Sequence, residues 1–93
     1  MPVNADEMKR LCSEFDHDFG GVANQVFGAI KKVPAGPALK AIIERGQAKV
    51  AKYEDVLSQL SAVHATNFRK DYDERVERLR NNLVKLNEKQ KAG

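Results

Sequence analysis

Ninety-three residues with 16 Lys/Arg, 13 Asp/Glu, one cysteine and no tryptophan leave room for a single small core. A chain of that length buries a modest fraction of its surface, so its stability is marginal and self-association is a common remedy. At 42% apolar and 31% charged residues it is too apolar for a disordered chain and too charged for a membrane protein, and no window approaches the ~20 apolar residues of a span.

The N-terminal run Met1-Pro2-Val3-Asn4-Ala5-Asp6-Glu7 is polar and acidic, the opposite of a basic leader followed by an apolar stretch. Cys12 has no second cysteine to pair with, so a cytoplasmic protein is the expectation, and no cofactor is implied. Residues 1–33 hold four Lys/Arg against five Asp/Glu, and residues 34–93 hold twelve against eight. The positive surplus therefore sits in the C-terminal two thirds.

The first helix has a clear start. Asn4 is placed to cap it, Glu7 stands at N3 to complete a capping box, and Val3 with Met8 forms a hydrophobic staple. Asp6 and Glu7 also suit the positive end of the macrodipole. Met8, Cys12, Phe15, Phe19, Val22, Val26, Ala29 and Val33 follow in alternating steps of four and three, a heptad seam. Leu11, Ala23, Phe27 and Ile30 widen it into the stripe of a bundle helix. Gly20 and Gly21 interrupt it, each costing a helix ~1 kcal/mol relative to Ala. Because the seam keeps phase across them, one helix over about 5–32 is predicted. Gly21 and Gly28, a heptad apart, would let a neighbouring helix approach closely.

Val33-Pro34-Ala35-Gly36-Pro37 is a turn. Lys31 and Lys32 suit the negative pole of the helix that ends there, and Pro37 suits the first turn of the next. So short a connection makes the two helices antiparallel neighbours. The second helix is read over about 37–64, through Leu39, Ile42, Ile43, Gly46, Val50, Tyr53, Leu57 and Leu60. Another is read over about 66–91, through Phe68, Tyr72, Val76, Leu79, Leu83 and Leu86. The weak helix formers of 61–67 separate them, with Thr66 or Asn67 as a cap. The fold class is all-α, with two architectures open. A bend at 61–67 gives an antiparallel hairpin plus a third helix, a three-helix bundle. No bend gives one helix of about 55 residues, ~80 Å long, whose far half requires an oligomeric coiled-coil bundle.

The function expected of such a chain is non-enzymatic: a helical protein–protein interaction module (adaptor, chaperone, inhibitor or assembly subunit), homo-oligomeric and acting by helix-surface burial. The C-terminal seam of Tyr72, Val76, Leu79, Leu83 and Leu86 has the least guaranteed cover and is the expected partner surface. The alternative is nucleic-acid binding by a basic C-terminal helix through Arg69, Arg75, Arg78, Arg80, Lys85 and Lys89. Interleaved acids such as Asp71 and Glu74, set four residues before Arg75 and Arg78, also fit an ordinary solvated face.

His17 carries the remaining chemistry. Glu14-x-x-His17 is half of a carboxylate-bridged metal motif, with Asp18 adjacent, but no second Glu-x-x-His exists in the chain. Asp16-His17-Asp18-Phe19, followed by Val22, Val26 and Ile30, resembles the phosphoacceptor helix of histidine-kinase dimerisation hairpins over about fifteen residues. That resemblance implies an exposed His17 on a continuous helix, acting in phosphotransfer; Gly20-Gly21 replaces the Asn residues typical of the family. Cys12, on the seam, reads as a small core residue, and Tyr53 and Tyr72 as core-edge residues with wet hydroxyls.

Overall fold

A computed structural model describes residues 5–93, so the Asn4 capping box and the Val3 half of the staple lie outside the described residues. Four helices follow one another: α1 (Ala5–Asp16), α2 (Phe19–Lys32), α3 (Pro37–Gln59) and α4 (Ala62–Ala92). The chain is an all-α bundle of 46 × 19 × 18 Å in which α1 and α2 together form one bent arm. The arm and α4 run in the same sense, α3 runs against both, and α2, α3 and α4 each pack on the other two.

The bend at 61–67 is real and tight. Leu60 leaves α3 in an extended conformation, and Ser61, rather than Thr66 or Asn67, caps α4, its Oγ accepting from the His64 amide at 3.5 Å. Thr66 instead back-bonds to the Ala62 carbonyl inside the helix. α4 therefore folds onto the rest of the chain, and the extended form with its obligatory coiled-coil partner is not the one adopted.

The first arm differs from the single helix predicted. The interruption falls at His17 and Asp18, ahead of the two glycines, and the helix resumes from Asp18 with Val22 N donating to its carbonyl. Asp residues compete with the backbone inside helices, and α3 supplies what the broken turn needs. Lys49 Nζ donates to the Phe15 carbonyl at 2.8 Å and pairs with Asp18 at 2.5 Å, its side chain only 10% exposed. That ammonium holds Asp18 below the usual carboxylate range through its hydrogen bond first and its charge second. Phase survives the break, since Phe15 and Phe19 are both buried.

Helix ends elsewhere are closed by side chains from other elements. Lys89 donates to the Ala29 and Ile30 carbonyls at the end of α2, a cation on the negative pole. Gly36, at φ 147°, turns the chain into α3 in a conformation that L side chains rarely adopt. Gln90 locks it from both sides, accepting from the Gly36 amide at 2.8 Å and donating to its carbonyl at 3.1 Å.

The core is aliphatic along most of its length, from Val22, Val26, Leu39, Ile43, Leu83 and Leu86, and aromatic around the α1–α2 bend. There Phe15 has no exposed surface and its ring centroid lies 5.1–5.5 Å from those of Phe19, Tyr53, Phe68 and Tyr72. The close helix approach expected at Gly21 and Gly28 occurs at Gly46, where a Cβ would lie 2.6 Å from Leu83 Cδ2 and 3.1 Å from Val26 Cγ2. Gly46→Leu is therefore expected to destabilise the bundle by about 2–3 kcal/mol through overpacking, even after the helix-propensity gain. A urea titration reads this directly, and a midpoint equal to the wild type would contradict the close approach.

Candidate interaction surface

The seam expected to face a partner faces the chain itself. Val76, Leu79, Leu83 and Leu86 are at most 6% exposed, packed against α2 and α3 once the bend returns α4 to them. Tyr72 is half-buried, edge-on to Phe15 and Phe19, and its hydroxyl donates to Asp16 Oδ1 at 2.5 Å.

Desolvation, with the Asp16 carboxylate second, pushes the Tyr72 phenol up to about 12. A folded-state value above the unfolded one favours the neutral phenol in the fold. The stabilisation is thus complete below pH ~10 and lost as pH rises through ~12, amounting to at most about 2–3 kcal/mol, less whatever the partly open ring loses to solvent screening. Tyr72→Phe should flatten the fall in stability between those pH values, measured by urea titration at each pH; an unchanged slope would exclude the effect. Tyr53, raised by burial and then by Asp73, shifts in the same direction and adds to the slope.

The basic residues of α4 do not form one stripe. Arg80 turns to α3, pairing with Glu54 at 2.8 Å and Glu77 at 3.2 Å. Lys89 is committed to the end of α2. Arg75 lies over the Tyr72 ring at 5.3 Å, and Arg78 reaches Glu74 at 3.9 Å. Arg69 and Lys85 are exposed.

His17 is exposed, in the turn rather than on a continuous helix as the phosphoacceptor resemblance implies. Its neighbours have other partners: Glu14 pairs with Arg10 and Lys52, and Asp18 with Lys49 and Arg45. Among the described residues no three His, Cys, Asp or Glu side chains converge as metal ligands would. Burial, with Asp71 second, pushes the Cys12 thiol up, which disfavours the reactive thiolate.

What the fold leaves open is a groove between α2 and α4, a cavity of about 480 Å³. Gly20, Ala23, Asn24 and Phe27 form one wall; Arg75, Arg78, Leu79 and Asn82 form the other, with Asp16 and Phe19 at one end. Phe27 is 66% exposed, outside the core stripe to which the sequence assigns it. A Cβ at Gly20, Gly21 or Gly28 would touch nothing within 4 Å. Asn82 is the buried polar residue of the described chain at 9% exposure; its carboxamide makes no hydrogen bond within the chain, and its polar atoms open to the groove.

No protein-family model, curated protein or solved structure matches this chain. Among the described residues, no helix is long and apolar enough to cross a membrane.

Phe27 adjoins Val26 in a broad apolar stripe, which assigns it to the core on sequence alone. The narrower seam of Phe19, Val22, Val26 and Ala29 was the usable signal: Phe27 falls one residue out of its three–four alternation.

Proposed function

We propose that this chain is a non-enzymatic helical protein-interaction module that acts by burying the α2/α4 groove against another helix. The observation that carries the reading is Phe27. A large aromatic, two-thirds exposed, stands beside glycine positions with nothing above them. Aromatic side chains are enriched among the residues that anchor protein interfaces. Each glycine costs α2 about 1 kcal/mol, and the packing of the chain on itself gives Gly20, Gly21 and Gly28 no return for it. The working surface is thus Gly20, Ala23, Asn24 and Phe27 with Arg75 and Arg78, in place of the buried seam of α4.

The test uses tagged wild-type and Phe27→Asp chains as paired baits. The expected result is a protein, whether a different one or an untagged copy of this chain, that binds the first and not the second, and does so again from purified components. Baits that recover the same proteins equally, or none, would overturn the reading.

A further inference from the structure

Resting on that reading of the groove, we infer that its occupant is a second copy of this chain, with the two α2 helices packed antiparallel about a two-fold axis between residues 23 and 24. A two-fold contact must be self-complementary, and this face is. The knob, Phe27, and the hollow, Gly20, lie seven residues apart on one side of α2, ~10.5 Å at 1.5 Å per residue, with small Ala23 and Asn24 between them. An antiparallel helix paired about residues 23 and 24 sets Phe27 of each copy over Gly20 of the other.

Charge follows the same register. Asp16 closes the groove at one end, and Lys31 lies one turn beyond Phe27 at the other. Asp16 accepts from Tyr72 but has no cation, and Lys31 has no carboxylate. The two-fold that faces residue 20 with 27 also turns the Asp16 end of the groove toward the Lys31 end of the second copy, so open charges of opposite sign lie at the same end.

The Asn82 side chain stands on the α4 wall of the same groove, its polar atoms reaching solvent with no partner in the chain. α4 runs parallel to α2, and its groove residues are centred between 78 and 79. The same axis then brings Arg75 of one copy to Asn82 of the other, giving the unpartnered carboxamide a charged donor. It also brings the two Arg78 side chains toward the axis, where each keeps its own carboxylate, Glu74 at 3.9 Å.

The test is the molar mass by sedimentation equilibrium from micromolar to near-millimolar concentration. Wild type is expected to double its monomer mass, and Phe27→Asp and Gly20→Leu to remain monomeric with unchanged far-ultraviolet circular dichroism. Both substitutions are at open positions, so the fold should tolerate them. For the register, Gly20→Cys and Phe27→Cys chains are mixed in a Cys12→Ser background and oxidised. The mixed 20–27 disulfide should form in preference to either self-pairing. A monomeric wild type, a dimer indifferent to both substitutions, or dominant self-pairing would overturn the inference. A monomeric wild type that still captures another protein through Phe27 would leave the interaction-module reading standing and remove only the second copy as occupant.

Discussion

Phe15→Ala is expected to lower the unfolding free energy by about 3–5 kcal/mol, a fifth or more of the ~5–14 kcal/mol typical for a domain of this size. Phe15 is fully buried and meets four other aromatic rings within 5.5 Å, with the Lys49 ammonium 5.3 Å from its centroid. It also sits on the last turn of α1, and its carbonyl receives the Lys49 hydrogen bond. Truncation therefore opens a cavity and loosens the contact that stitches α1 and α2 to α3 at the bend. The thermal midpoint should fall by roughly 12–40 °C, at about 4–8 °C per kcal/mol for small domains. Phe27→Ala is the matched control, since an exposed aromatic contributes little to the monomer; its effect should stay within about 0.5 kcal/mol. Urea titrations of the two variants decide this. A Phe15→Ala chain within about 1 kcal/mol of wild type would mean the aromatic cluster is not the centre of the core.

Leu79→Asp should unfold the chain outright. Leu79 is 1% exposed, between α2 and α3, so the substitution combines the ~2–5 kcal/mol lost with a buried leucine with the several kcal/mol needed to desolvate or protonate a carboxylate. The sum matches or exceeds the whole stability. Far-ultraviolet circular dichroism at room temperature is expected to show loss of most helix, while Val84→Asp, at a position 55% exposed on the same helix, keeps it. A helical, cooperative Leu79→Asp chain would show that this part of α4 is less buried than the packing indicates. The contrast also bears on interpretation. Loss of association in a seam mutant such as Leu79→Asp would report unfolding, whereas loss in Phe27→Asp would report the surface.

Much of the architecture was legible in the residues. The Pro34–Pro37 punctuation, the seam from Phe15 to Val33 and the absence of any strand pattern determine an all-helical chain with an antiparallel turn near residue 35. These are local signals: a proline removes a donor wherever it stands, and a three–four alternation of apolar residues marks a helix face without reference to neighbours. The weak helix formers of 61–67 likewise marked where a bend had to fall if there was one, and the sequence left open which residue would cap it.

Tertiary structure decided everything that depends on two elements meeting. Whether α4 returns to the bundle turned on Ser61 against Thr66 and on the match between the faces of α2, α3 and α4, and that outcome converted the expected partner surface into core. The break at His17–Asp18 required Lys49 from thirty residues away to take the freed carbonyl and the Asp18 carboxylate. Gly46 and the glycines of α2 are alike in sequence, yet only Gly46 has a leucine against it. Phe27 is core or surface according to a rotation of about 100° per residue around α2, a difference that a broad apolar stripe does not resolve. Composition and periodicity determine which faces are apolar; only the packing of those faces decides which of them is left over for a partner.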